Sequence, residues 1–287
     1  MDLPARLLGS NSQYSRYPLG EFVSAMGRLG FSRLDFVPQT PHIFCHDACL
    51  ESPVHLRSIL DRAGLTVRAV TPPPYRYSIT APQGVQQAAT LAYYKNCITL
   101  ARSLGSPYLV LGAAGACWDL PAEALTENAV RLLRSLAAEA SAQSVTLLLC
   151  PVLGKNAPLL AQSPVLGTAR ECAALCDAVS SPHLQIAVDT HVISVNGETL
   201  SQWFQLLGPR IHLVRLADGN YHGYRPLGAG CLPTDRYLAE LDALGYRGDL
   251  SLLLPGEGYL DAPSVPDRKS LEALGVFRRE GFGDAIS

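Results

Sequence analysis

Residues 184–253 read LQIAVDTHVISVNGETLSQWFQLLGPRIHLVRLADGNYHGYRPLGAGCLPTDRYLAELDALGYRGDLSLL, and they carry the clearest indication of the fold class. Its strand-like and helix-like runs alternate in the order Leu184–Val188, Thr199–Leu207, Ile211–Leu216, Thr234–Leu244 and Asp249–Leu253. Short β-rich runs that alternate with amphipathic helices are typical of βα units on a parallel sheet.

The same alternation extends back to the start of the chain. Further strands are predicted within Leu7–Tyr14 and at Arg33–Phe36, Thr66–Val70, Tyr108–Leu111 and Val145–Leu149. Further helices are predicted at Leu19–Leu29, Val54–Ala63, Gln83–Leu104, Pro121–Ala142 and Gly167–Val179, with a tail helix at Lys269–Arg279. This rhythm predicts an α/β fold, a (β/α)8 TIM barrel, rather than an open sheet. We expect a single domain over residues 1–287, with the barrel at about 7–255 and a C-terminal extension at 256–287.

Composition restricts the partners. Of the 287 residues, 48% are hydrophobic and 17% are charged, which is enough apolar material for a large core. The net charge of −2 and the lack of a basic tract argue against nucleic acid or an anionic membrane as a partner. No signal peptide is predicted, and the longest apolar run, near Tyr108–Cys117, is about half a membrane span. We therefore expect a cytoplasmic protein, and a homodimer is a reasonable assembly for such a barrel.

Common cofactor and catalytic motifs are missing from the sequence. Residues 112–115, GAAG, have neither the dinucleotide-binding spacing nor the ending of a P-loop. The chain has no GxSxG elbow and no HExxH helix.

Eight cysteines are present, and without an export signal we expect reduced thiols rather than a disulfide framework. The segment HIFCHDAC contains four side chains that could bind zinc, namely His42, Cys45, His46 and Cys49. No second pair completes the usual ligand spacing, so packing in a loop is the preferred interpretation and zinc binding stays an open alternative.

In a TIM barrel the reactive groups collect at the carboxyl ends of the strands and in the loops that follow them. That rule selects His42, Tyr75, Trp118, Cys150, Asp189, His191, Arg215, Asp218, His222, Arg225 and Glu257. We expect Tyr75 and Trp118 to pack in the wall. The residues expected to contact substrate are His42, Asp189, Asp218, His222 and Arg225.

Three late segments, AVDTHV, IHLVRLADGNYHGYRPLGAG and LDALGYRGDLSLLL, resemble the xylose-isomerase-like barrel family of sugar isomerases and epimerases. The segment Pro41-His42-Ile43-Phe44 resembles that of the fructoselysine 3-epimerase-like members, which, with the D-tagatose 3-epimerase-like members, are the nearest subgroup. The resemblance covers roughly residues 7–255 and implies a sugar or sugar phosphate as the partner.

The resemblance also implies where a divalent metal would lie. Relatives carry Glu, Asp, His and Glu at the ends of strands five to eight, where this chain has Cys150, Asp189, Arg215 and Leu253. A guanidinium stays protonated and has no lone pair for a metal. We therefore predict no metal cofactor. Mn, Mg or Co is expected only if the predicted strand register is wrong. We expect Arg215 to pair with Asp189 and to supply the charge of the missing ion.

Three functions stay open at this point. The first is binding of a sugar, sugar phosphate or related polyol without the metal-dependent chemistry of the family. The second is an active isomerase or epimerase with a rebuilt, metal-independent site, in which Cys150 or His191 is the base and Arg215 stabilises an enediolate. The third is a non-catalytic scaffold.

Overall fold

A computed structural model describes residues 3–73, 77–153, 163–220, 222–256 and 258–277 of the chain. The strands are β1 (Leu7–Ser10), β2 (Arg33–Phe36), β3 (Thr66–Val70), β4 (Tyr108–Leu111), β5 (Thr146–Leu149), β6 (Leu184–Asp189), β7 (Ile211–Arg215), β8 (Asp218–Asn220), β9 (Gly223–Arg225) and β10 (Asp249–Ser251). The α-helices are α1 (Leu19–Leu29), α2 (Val54–Arg62), α3 (Val85–Ser103), α4 (Ala122–Ala142), α5 (Ala169–Val179), α6 (Thr190–Val195), α7 (Leu200–Leu207), α8 (Thr234–Ala243) and α9 (Val265–Ala273). Short 3-10 helices cover Pro4–Arg6, Ser12–Tyr14 and Gly208–Arg210.

The barrel strands close in the order β1-β10-β7-β6-β5-β4-β3-β2, and the pairs between them are parallel. This arrangement confirms the predicted TIM barrel. Strands β8 and β9 stand outside the barrel as an antiparallel hairpin on the connection between β7 and α8.

Alternate residues of each barrel strand face opposite sides, which creates two apolar layers. The inner layer is formed by Leu8, Ala69, Val110, Leu148, Cys150, Ala187 and Leu213. A much larger cluster lies between the outer face of the strands and the helices, and it includes the fully buried Trp203. The predicted strands are therefore buried on both faces, as the fold requires.

A cluster of ion pairs lies at the amino end of the barrel. Asp249 forms two ion pairs, one from Oδ1 to Arg33 Nη2 at 2.7 Å and one from Oδ2 to Arg68 Nε at 3.0 Å. All three residues lie on barrel strands, at the end opposite to the one where TIM barrels bind ligands. This cluster therefore belongs to the framework of the barrel.

The predicted tail helix at Lys269–Arg279 was misplaced. Helix α9 begins at Val265, with Pro266 at its second position, where a missing N–H costs little. It ends at Ala273, followed by Gly275 with a φ of 67°. A glycine in this left-handed region ends a helix, whereas the prediction continued through it. Arg278 and Arg279 lie outside the described residues.

Sequence patterns did not predict helix α6 or the β8–β9 hairpin, since each is too short to show a period. Among the residues described, no helix has both the length and the apolar character needed to cross a membrane.

Candidate functional site

A cavity of about 340 Å³ opens at the carboxyl ends of the barrel strands. Its lining comes from most of the strand ends and from the connections that follow them. The residues are Ser12, Val37, Gln39, Thr71, Pro72, Pro73, Tyr94, Val110, Leu111, Gly112, Ala114, Cys150, Pro151, Val152, Leu153, Asp189, Val192, Arg215, Tyr224, Leu253, Pro255 and Gly256. Within the described part of the chain, Asp189 and Arg215 are the charged members of this lining.

Strand register brings Arg215 beside Asp189. On β7, Arg215 is aligned with Asp189 of β6 on one side and with Ser251 of β10 on the other. The guanidinium Nη1 lies 3.5 Å from Asp189 Oδ2, and both side chains are buried. The predicted pairing and the strand register on which it depended are confirmed.

A second carboxylate also faces Arg215. Asp35 Oδ2 lies 3.6 Å from Arg215 Nη2. Asp35 is fully buried, and it accepts hydrogen bonds from Thr71 Oγ1 at 2.5 Å and from Ser251 Oγ at 2.6 Å. Asp35 was not among the site residues predicted from the sequence. The sequence did contain a signal, namely one Asp inside the apolar run LDFV of a strand that must be buried. A charged side chain in such a strand needs a partner.

Asp189 has a structural task besides its ion pair. It is the N-cap of α6, where its Oδ1 accepts from the backbone N–H of His191 at 3.0 Å and of Val192 at 3.1 Å. Its Oδ2 accepts a hydrogen bond from the Tyr224 hydroxyl at 3.0 Å. Capping explains why an acidic residue sits at this strand end, and the capped carboxylate is held in place for Arg215.

The surroundings of Arg215 keep it charged. Burial lowers its pKa, but Cys150, Asp35 and Asp189 raise it by more, so the net pKa lies above that of a free guanidinium. Its Nε and Nη2 are buried and have no hydrogen-bond partner among the described residues. Arg215 belongs to the cavity lining, although these two nitrogens are themselves buried.

Cys150 follows β5 and lines the same cavity. It is only 7% exposed, and burial raises the pKa of its thiol to about 12, although Arg215 acts in the opposite direction. At neutral pH the group is therefore a protonated thiol. A protonated thiol is neither a strong base nor a metal ligand.

His191 is not among the residues that line the cavity. Its buried ring lies 4.4 Å from the Tyr224 ring, centroid to centroid, and neither ring nitrogen has a hydrogen-bond partner among the described residues. Burial lowers its pKa, and Asp189 and Asp218 partly oppose this effect. The ring also packs so closely on Gly219 that a Cβ at that position would clash with it.

Asp218 organises a loop rather than the cavity. Its two carboxylate oxygens accept hydrogen bonds from four backbone N–H groups, at distances between 2.7 and 3.0 Å. The four donors are Gly219, Gly228, Gly230 and Leu232. The sequence singled out Asp218 as a substrate contact, but the structure commits its acceptors to the backbone.

His42 is also tied to the framework. Its Nδ1 lies 2.9 Å from Asn11 Nδ2, its Nε2 lies 3.0 Å from the Tyr17 carbonyl oxygen, and its ring stacks on Phe22. Burial lowers its pKa, which suits a neutral ring between these partners. The structure thus places it outside the lining.

The other three residues of the HIFCHDAC segment that could bind zinc do not gather around His42. The Cys45 sulfur contacts Cys97, His46 bonds to Tyr77, and Cys49 is exposed. In the part of the chain that the structure describes, no group of three or more His, Cys, Asp or Glu side chains is placed to hold a metal ion.

Of the remaining residues singled out from the sequence, some are described by the structure and some are not. Leu253 lines the cavity. His222 and Trp118 are exposed, and Arg225 donates a hydrogen bond from Nη1 to the Tyr224 carbonyl at 2.8 Å. Tyr75 and Glu257 lie outside the described residues.

A scan against protein-family models matches residues 23–279 of the chain to the xylose isomerase-like TIM barrel. The chain belongs to this family. The match includes β2 to β10 and therefore every barrel strand except β1. It confirms the resemblance that the motifs of the second half indicated.

Solved structures of the xylose isomerase-like fold superpose on nearly the whole chain. L-ribulose 3-epimerase has a TM-score of 0.75 at 19% identity, with 94% of this chain and 93% of that chain covered. The Escherichia coli 3-keto-D-glucoside 4-epimerase has a TM-score of 0.73 at 16% identity, covering 91% of this chain and 97% of that chain. The IolI protein, solved with a bound zinc atom, has a TM-score of 0.76 at 14% identity, covering 94% and 96%. At these identities the likeness shows the fold. No curated protein matches the chain in sequence.

Proposed function

We propose that this barrel binds a small polyhydroxylated molecule, a sugar or sugar derivative, without the divalent-metal chemistry of sugar isomerases and epimerases. The observation that carries the proposal is the position of Arg215, whose guanidinium lies between Asp189 and Asp35 at the cavity. A permanent cation thus compensates the buried carboxylates.

The donors at the four positions implied by family resemblance do not fit a Mg²⁺ or Mn²⁺ cage. Leu253 has no lone pair, Cys150 carries a protonated thiol, and Arg215 is a cation. Asp189 is the one hard oxygen ligand among them, and it already accepts three hydrogen bonds. A divalent ion beside Arg215 would also meet strong charge repulsion.

A sugar ligand is supported by the size of the cavity and by its relatives. About 340 Å³ falls within the range of small-molecule sites. The solved relatives include enzymes named as epimerases of L-ribulose and D-psicose. In this chain Arg215 adds a positive charge to the cavity wall, and Ser12 and Gln39 add polar groups.

An active isomerase or epimerase with a rebuilt site has weaker support from the geometry. A base must hold a lone pair close to the substrate C–H bond. Cys150 is protonated at neutral pH, and the His191 ring is packed against Tyr224 rather than in the lining. The arrangement therefore favours binding over proton transfer.

The test is a binding screen by thermal shift and calorimetry in the presence of EDTA, with neutral ketoses, aldoses, cyclic polyols and sugar phosphates. We expect binding without metal, weakened about tenfold or more in Arg215→Gln because the positive charge at the cavity wall is lost. Leu253→Phe should also weaken binding by filling the cavity while it leaves the charges in place. Arg225→Gln is the matched control and should bind normally, since Arg225 is not part of the lining.

Three results would count against the proposal. Binding that requires added Mn²⁺, Co²⁺ or Mg²⁺ would show that the site holds a metal. Deuterium incorporation into a recovered sugar in D₂O, without metal, would favour the rebuilt catalytic site. Failure of every polyol to bind would favour the scaffold.

A further inference from the structure

Two thiols from separate parts of the chain meet outside the barrel. Cys45 lies on the connection between β2 and α2, and Cys97 lies on α3. Their sulfur atoms are 3.7 Å apart although 52 residues separate them in sequence. Both are free cysteines in the structure.

The segment that carries Cys45 is a small hairpin, residues 44–51. Cys45 and Leu50 form an antiparallel bridge, and the His46 N–H donates to the Cys49 carbonyl at 2.9 Å. The Glu51 N–H donates to the Phe44 carbonyl, also at 2.9 Å. These bonds give the hairpin a defined conformation and hence give the Cys45 side chain a defined direction.

The hairpin is fastened to α3 next to the two sulfurs. Asn96, the neighbour of Cys97, donates from Nδ2 to the carbonyl of His46, the neighbour of Cys45, at 2.7 Å. Tyr77 also bonds to the hairpin, through its hydroxyl to Asp47 Oδ1 at 2.9 Å, and it stacks on Tyr93 of α3 at 4.1 Å between centroids. The contacts of Asn96 and Tyr77 therefore hold the hairpin against α3, and the two sulfur atoms lie at this junction.

The two thiols differ in access. Cys97 is fully buried, whereas Cys45 is half-buried. Hydrogen bonding with Cys97 lowers the pKa of Cys45, although burial acts against it, while burial raises the pKa of Cys97. One thiol is thus reachable and the other is held directly behind it, which is the arrangement of an attacking and a resolving cysteine.

We propose that Cys45 and Cys97 are a reversible dithiol–disulfide pair that is oxidised by a small-molecule disulfide such as glutathione disulfide. The Cys45 thiolate attacks one sulfur of glutathione disulfide, which forms a mixed disulfide and releases the first glutathione. The Cys97 thiolate then attacks the Cys45 sulfur and releases the second. The two protein thiol protons end on the two glutathiones, and reduced glutathione reverses both steps.

The disulfide would fasten the β2–α2 connection to α3. Gln39 lies on that connection and Tyr94 lies on α3, and both line the cavity. The oxidation state of the pair would therefore set how firmly this side of the cavity wall is held. Formation of this disulfide does not depend on which ligand the cavity takes.

The test treats the full chain with glutathione disulfide and then maps its peptides by mass spectrometry, with free thiols counted before and after. We expect the wild type to lose two thiols to one Cys45–Cys97 bond and to unfold about 4–8 °C higher than the reduced protein. Reduced glutathione should restore both thiols. Cys49→Ser, a change at the exposed cysteine of the same hairpin, should behave like the wild type.

Two variants keep the test independent of a folding defect. Cys45→Ser changes the half-buried member and Cys97→Ala the buried one, and in each the internal bond and the thermal shift should be lost. Glutathione that stays on Cys45 while Cys97 remains free would overturn the proposal. A Cys45–Cys49 bond, or no loss of thiols at all, would overturn it as well.

Discussion

At the scale of single residues, Arg215 and its two carboxylates depend on one another. Asp35 and Asp189 are fully buried, and Arg215 is the cation that lies between them. Breaking a buried ion pair by removing one partner leaves an uncompensated charge in the interior. Such a loss is much larger than the loss of an exposed pair, whose charges water screens.

The first prediction concerns Arg215→Met, which keeps much of the side-chain volume but removes the charge. We expect the free energy of unfolding to fall by about 3–5 kcal/mol in urea denaturation at pH 7. Arg247→Met is the matched control, because Arg247 pairs with Asp242 on the surface, and we expect it to cost about 0.5 kcal/mol or less. Equal losses in the two variants would contradict the buried triad.

The second prediction concerns the reactivity of Cys150. Because burial raises its pKa to about 12, the nucleophilic thiolate is scarce at pH 8. Iodoacetamide should alkylate the exposed Cys49 and Cys231 first and leave Cys150 unmodified in the folded protein. Peptide mapping over time measures this order, and early modification of Cys150 would revive it as a candidate base.

The sequence predicted some contacts of the site residues and not others. The pairing of Arg215 with Asp189 followed from the strand ends and a need for charge compensation. Asp35 could not be placed beside them, because no local pattern shows that side chains of β2 and β7, which are separated by β1 and β10, meet inside the barrel. His42 and Asp218 were expected to contact ligand, but a polar side chain near a strand end can equally bond to backbone, and here both do.

At the scale of elements, the loop after the β8–β9 hairpin is built around Asp218. The side chain replaces the secondary-structure partners that four backbone N–H groups lack. Gly230 packs so closely on the carboxylate that a Cβ there would clash with it. The loop is therefore held by one residue rather than by a regular hydrogen-bond ladder.

The third prediction is that Asp218→Ala loosens this loop. Loss of the acceptors should lower the free energy of unfolding by about 2–3 kcal/mol and speed hydrogen exchange at the amides of Gly228, Gly230 and Leu232. Exchange followed by mass spectrometry tests both the site and the extent of the effect. Asp261→Ala, a change at an exposed aspartate, is the control. Unchanged exchange in the loop would remove Asp218 from this role.

The elements that the sequence predicted best are those with a strong period and clear ends. Strands β2, β3 and β4 and helix α1 have the predicted bounds. The six-residue α6 exists because Asp189 caps it, and β8 and β9 exist because they pair with each other. Those causes are contacts rather than patterns, so they were invisible in one sequence.

At the scale of the whole molecule, α9 is packed on the barrel with a buried carboxyl group. Asp267 is 6% exposed, and burial raises its pKa to about 8. An unfolded chain would hold it near the ordinary value of about 4. The folded state therefore binds a proton more tightly than the unfolded state, and stability must fall as the pH rises from about 4 to about 8.

The fourth prediction follows from this fall in stability with rising pH. Asp267→Asn keeps the shape of the protonated side chain and removes its titration. Relative to the wild type, the variant should gain stability by up to about 1.4 kcal/mol per pH unit between pH 4 and 8. Denaturant unfolding at several pH values measures the difference. A variant that instead lost stability above pH 5 would show that Asp267 is a stabilising charged group.

The barrel as a whole keeps the architecture of its family, while the positive charge at its mouth comes from an arginine. Whether the arginine stands in place of a divalent ion is measured by the metal content of the purified protein, produced in medium supplemented with Mn²⁺, Co²⁺, Mg²⁺ and Zn²⁺. We expect far less than one ion per chain and no loss of thermal stability on treatment with EDTA. One tightly bound divalent ion per chain, whose removal destabilises the protein and which Asp189→Asn abolishes, would contradict this expectation.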